Sequence, residues 1–105
     1  MAWLYLFLAG VFEVVWAFFM KESNGFTKLG PSLLTILFMI ISFGLLSISM
    51  KTLPLGTSYT IWVGIGAVGA FILGIVFFQE SMSIMRIIAA ALIVAGVIMM
   101  KLATK

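Results

Sequence analysis

The sequence contains no cysteine and no histidine, and few of its residues carry a charge. Without cysteine there is no disulfide, thiolate metal site or cysteine nucleophile. Without histidine the commonest metal ligand and the usual general base are also missing. The acidic residues Glu13, Glu22 and Glu80 are far apart and lack the spacing of metal ligands. We therefore expect neither an enzyme nor a metal or cofactor site.

The scarcity of charge also indicates the solvent. Charged residues make up 9% of the 105 residues and hydrophobic residues 65%, whereas soluble domains run about 25% charged and about 45–50% apolar. Too few polar side chains remain to cover a water-soluble core. The net charge of +3 comes from isolated cations beside apolar runs, which indicates helix-end anchors and not a nucleic-acid surface.

Long apolar runs predict an all-α integral membrane fold, with four transmembrane helices in a single domain, residues 1–105. A bilayer core about 30 Å thick is crossed by about 20 helical residues. The predicted spans are approximately residues 2–20, 32–50, 57–78 and 85–101. Turn-forming residues separate them, such as Asn24-Gly25 and Pro54. Because the loops are short, we expect consecutive helices to pack as antiparallel neighbours.

The cations are divided evenly between the two membrane surfaces. The side with the termini carries Lys51, Lys101 and Lys105, and the other side carries Lys21, Lys28 and Arg86. Orientation normally follows an excess of Lys and Arg on the cytoplasmic side, and neither side has an excess. One interpretation is that other features decide the orientation. The other is dual topology, in which oppositely inserted copies form an antiparallel homodimer with the inverted symmetry that many transporters use.

One acidic residue, Glu13, lies near the centre of the first span. At about 1.5 Å per residue it is roughly 16–18 Å from the start of that span, where a charge costs at least about 2.5 kcal/mol. Intramembrane charges usually mark proton or ion pathways. Burial favours the protonated carboxyl, so a proton and an organic cation would compete for it, which predicts a proton-coupled antiporter. The alternative is a protonated Glu13 that only bonds a neighbouring helix.

Other side chains are expected to line the site around Glu13. Gly10 and Trp16 share or border its helix face. Tyr59 and Trp62 lie on one stripe of the third span, and aromatic faces attract cations. Ser42, in the middle of the second span, has two interpretations: it orients Glu13, or it bonds its own helix four residues back.

The third span contains the pattern GxGxxG at residues 64–69. Nucleotide binding is rejected, because that fingerprint requires a preceding strand and a soluble βαβ unit. Close glycines weaken a helix, so we expect Gly64, Gly66 and Gly69 to form a hinge that lets a site face alternate sides.

The fourth span carries a surface of small residues. Ala91, Ala95 and Gly96 lie close together on it. Small residues let helix backbones approach closely in membranes. We expect this surface to form part of the dimer contact.

Together these features resemble the small multidrug resistance family over essentially the whole chain. The matching pieces are Glu13, the Lys21 to Gly25-Phe26 loop, Leu53-Pro54-Leu55-Gly56, Tyr59-x-x-Trp62-x-Gly64-x-Gly66, Glu80, and the stretch from Leu92 to Ile98. The resemblance implies an antiparallel homodimer in the bacterial inner membrane that exchanges protons for organic cations. It also implies that Glu13 of both copies forms the shared site, that Tyr59 and Trp62 line it, and that the fourth span makes much of the dimer contact.

Within that family, the string from Glu13 to Ala17 and Ser42 resemble the guanidinium-exporter subtype. Guanidinium is small, planar and always charged, and a carboxylate can meet it with two parallel hydrogen bonds. The alternative function is proton-coupled export of lipophilic quaternary ammonium and other multidrug cations, for which a looser apolar cavity is expected. Two further classes fit the sequence less well. A non-transporting subunit predicts a strong charge bias and no intramembrane acid, and a cation channel lacks proton coupling.

Overall fold

The computed structural model describes residues 1–104. Across this range the fold is all-helical, with α1 Ala2–Glu22, α2 Leu29–Ser49, α3 Leu55–Phe78 and α4 Ile84–Ala103. All four helices are long and apolar enough to cross a membrane. The predicted four-helix membrane fold is confirmed. Lys105, which was counted among the charges on the side of the termini, lies outside the described residues.

Local signals set the ends of the helices. α2 begins at Leu29 and so holds Pro31 within its first turn, where a proline ring is tolerated because the N–H it lacks has no helical partner. α3 ends at Phe78, and Gln79 after it adopts the left-handed conformation (φ 54°), which commonly terminates a helix. α4 begins after Ser83, whose hydroxyl accepts a hydrogen bond from the Arg86 backbone N–H at 3.2 Å.

The four helices form a flat layer in the order α2, α1, α3, α4. The molecule measures 43 × 34 × 16 Å, and 16 Å is less than two helix diameters of about 10–12 Å each. α1 packs against α2 and α3, α4 packs against α3, and α2 touches α3 in only a few places. The expectation that consecutive helices are neighbours is therefore wrong for α2 and α3. The loop of residues 50–54 reaches about 17 Å when extended, enough to pass the end of α1.

The buried interior of this layer is small. Its apolar centre is formed by Leu6, Ala9, Leu46, Ile61 and Trp62. α4 contains no buried residue. A helix that is apolar on all sides belongs inside a larger core or in a membrane. The exposed faces of the layer therefore suit contact with lipid or with a second helical layer.

Candidate functional site

Glu13 lies in the middle of α1 and reaches toward α3. Its carboxyl group occupies the space that a Cβ atom on Gly66 would fill, so the glycine makes room for it. The residue is half-buried, and its Oε1 atom is buried without a hydrogen-bond partner among residues 1–104. The salt bridge within this range joins Arg86 to Glu80, far along the chain from Glu13. An oxygen that no protein donor occupies can accept a proton or an N–H group of a cation.

A short hydrogen-bond chain holds the backbone beside Glu13. The Ser42 hydroxyl donates to the carbonyl oxygen of Ala9 at 2.6 Å and accepts from Trp62 Nε1 at 3.0 Å. These bonds join α1, α2 and α3 one helical turn before Glu13. Ser42 thus does not bond its own helix, contrary to one of the two sequence-based interpretations, and its role in orienting Glu13 stays a prediction. Its partner is a carbonyl on another helix.

Four aromatic rings lie in a row next to the hydrogen bonds of Ser42. Tyr59 and Trp62 have ring centroids 5.6 Å apart, Trp62 and Phe43 are also 5.6 Å apart, and Phe43 meets Trp16 edge-on at 6.4 Å. Trp16 Nε1 is buried and has no hydrogen-bond partner within residues 1–104. Phe43 was not among the residues expected at the site, because helical spacing relates residues of one helix and gives no signal for contacts between helices.

The predicted hinge glycines are points of close helix contact in this structure. A Cβ atom on Gly64 would collide with Val97 of α4, and one on Gly69 would collide with Val14 of α1. Gly10 is a further point of close helix contact, on α1, because a Cβ atom there would lie 2.7 Å from a methyl carbon of Ile65. α3 runs as one unbroken helix through these positions. Bending of α3 stays a prediction.

The small residues predicted for dimer contact are exposed. Ala91, Ala95 and Gly96 all lie on the surface of α4. Gly96 also lines a cavity of about 470 Å³ between α3 and α4, together with Tyr59. Their place in a dimer stays a prediction. Within residues 1–104, no three side chains of the metal-binding types come together.

Comparison with known proteins finds a matching family model and several relatives that share one name. The family model described as Small Multidrug Resistance protein matches residues 1–93. A protein named Guanidinium exporter from Proteus vulgaris is 54% identical over 104 residues, which cover 99% of this chain and 100% of that protein. Proteins of the same name from Citrobacter freundii and Salmonella typhimurium are each 53% identical over 104 residues, with 99% of both chains covered. These relatives are named as exporters and not as enzymes.

Proposed function

Because the chain belongs to the small multidrug resistance family, we propose that it is a proton-coupled antiporter that exports guanidinium and related guanidinyl compounds by alternating access. The observation that supports this proposal is Glu13, a half-buried residue in the middle of a membrane-spanning helix. Its Oε1 atom has no hydrogen-bond partner within residues 1–104. The relatives named Guanidinium exporter support the substrate class.

The surroundings of Glu13 suit a small planar cation. A guanidinium ion can donate two parallel N–H bonds to a carboxylate. We assign Gly10, Trp16, Ser42, Tyr59 and Trp62 to the lining of the site. The bonds of Ser42 to Ala9 and Trp62 restrict the helices that carry these residues, and the aromatic row offers ring faces to a cation.

Competition at one carboxyl provides the coupling. A proton and a guanidinium ion both require the oxygens of Glu13, so the site holds one or the other. Protonation on the outer side releases the cation, and cation binding on the inner side releases the proton. A transmembrane proton gradient then drives export, and we assign the protein to the bacterial inner membrane on this basis.

We further propose that the working unit is an antiparallel homodimer. The flat layer is 16 Å deep and buries no residue of α4. A second copy of opposite orientation would cover this surface at Ala91, Ala95 and Gly96 and bring a second Glu13 to the site. The even division of cations in the sequence supports insertion in both orientations, and bending at Gly64, Gly66 and Gly69 would let the site face either side.

Transport currents from proteoliposomes on a solid support test this function. We expect a current on addition of guanidinium and little on addition of tetraphenylphosphonium. Glu13→Gln should abolish the guanidinium current, whereas Glu22→Gln, at the end of α1, should leave it unchanged. A larger current with tetraphenylphosphonium would support the multidrug alternative, and normal currents from Glu13→Gln would contradict both.

A further inference from the structure

We propose that a groove along α1, α3 and α4 binds one acyl chain of an anionic phospholipid, whose phosphate is held by Lys101. Two apolar cavities of about 430 and 440 Å³ form this groove. Their linings share Ile65, Val97 and Ile98, so the two cavities adjoin along the helices. Among residues 1–104, Lys101 is the only charged residue that lines either cavity. A long apolar channel with one cation at its end matches the chemistry of a charged lipid.

The groove is separate from the Glu13 site. Ile65 and Val14 line the groove, and their sequence neighbours Gly66 and Glu13 face each other between α1 and α3. Successive residues of a helix point about 100° apart. A lipid chain in the groove therefore lies on a different side of both helices and does not compete with the transported cation.

The length of the groove corresponds to one leaflet of a bilayer. On α1 its lining runs from Trp3, beside Lys101, to Val14, next to Glu13, which is about 16 Å at about 1.5 Å per residue. Half of a hydrocarbon core about 30 Å thick is about 15 Å. A lipid chain that begins at Lys101 would therefore end near the bilayer midplane, where the lining is apolar.

Lys101 is placed to hold a phosphate. It lies in the last turn of α4, and its Nζ atom is 5.4 Å from the centre of the Trp3 ring. No carboxylate within residues 1–104 is within salt-bridge distance of it. The ring fixes the position of the ammonium group without using its charge on an anion, so its N–H donors remain for a phosphate. Lysine near a membrane surface attracts anionic lipids.

Native mass spectrometry tests the charge requirement. The purified full chain is mixed with phosphatidylglycerol and phosphatidylcholine of identical acyl chains, and the bound lipids are counted. Lys101→Gln should lower phosphatidylglycerol affinity about fivefold, which corresponds to about 1 kcal/mol. Lys101→Arg should retain the affinity. Lys51→Gln is the control, because this loop cation lines neither cavity. Equal binding by the wild type and Lys101→Gln would overturn the proposal, as would an equal loss from Lys51→Gln.

A photoreactive side chain in place of Phe7 tests the occupant. This position is more than half exposed and lines the groove on α1, away from the α4 surface assigned to the second copy. In bilayers that contain phosphatidylglycerol, irradiation should produce lipid adducts of the chain. Adducts with a second copy of the protein would overturn the proposal and assign the groove to a dimer interface. The test is independent of transport, so its outcome differs from a failure of the proposed antiport.

Discussion

The hydrogen-bond chain through Ser42 should contribute measurably to the stability of the three-helix core. Ser42→Ala removes the hydroxyl that bridges Ala9 on α1 and Trp62 on α3. The Ala9 carbonyl keeps its bond within α1, whereas Trp62 Nε1 loses its only bond recorded within residues 1–104. The cost therefore comes mainly from one buried indole donor.

The loss of unfolding free energy in Ser42→Ala is set mainly by the unpaired indole donor. A buried donor left without a partner costs about 1–3 kcal/mol, and hydrogen bonds between membrane helices average about 0.6 kcal/mol with a maximum near 1.7. We expect Ser42→Ala to lower the free energy of unfolding by about 1–2 kcal/mol. Trp62→Phe should cost more than the lost bond alone, because the indole also packs against Tyr59 and Phe43.

A double-mutant cycle isolates the bond from that packing. Unfolding of the wild type, Ser42→Ala, Trp62→Phe and the double variant is followed by far-ultraviolet circular dichroism at one fixed protein concentration in mixed micelles. The two substitutions should be coupled by about 0.5–1.5 kcal/mol. Ser47→Ala is the matched control, because Ser47 is an exposed serine on the same helix. Additive effects of the two substitutions, or an equal loss from Ser47→Ala, would refute the reasoning.

Two further predictions concern close contacts. Gly66→Ala places a methyl group where the Glu13 carboxyl lies, so we expect guanidinium transport to be lost and the free energy of unfolding to fall by about 1–3 kcal/mol. Gly44→Ala is the control, because Gly44 has open space around it, and it should retain both transport and stability. Full transport activity of Gly66→Ala would contradict the contact between Gly66 and Glu13. Thr57→Val removes the 3.0 Å hydrogen bond to Thr104 that joins the end of α4 to α3, so amide hydrogen exchange in the last turn of α4 should accelerate. Unchanged exchange in that turn would show that the bond does not restrain the end of α4.

The number and approximate position of the helices follow from the sequence because hydrocarbon imposes a simple rule. A span must be apolar for about 20 residues, and the breaks at Asn24-Gly25 and Pro54 are strong turn signals. The order of the helices in the layer could not be obtained in this way. A short loop restricts how far apart two helix ends lie, but α1 can still lie between α2 and α3, and it does.

For the site, too, features within one helix could be predicted from the sequence, whereas contacts between helices could not. Glu13 stands out from sequence alone, because a charge at mid-membrane is costly and needs a reason. The partner of Ser42 could not be predicted, since it depends on how closely α2 approaches the Ala9 carbonyl. The roles of Phe43 and Gly66 likewise arise from contacts between helices, on which helical periodicity carries no information.

The most direct test of the central claim is proton release on guanidinium binding. Purified protein in weakly buffered detergent is mixed with guanidinium at neutral pH, and the released protons are counted with a pH indicator. Wild type and Glu22→Gln should release protons in proportion to bound guanidinium, and Glu13→Gln should release none. Undiminished proton release from Glu13→Gln would contradict the claim that one carboxyl is shared by the proton and the cation.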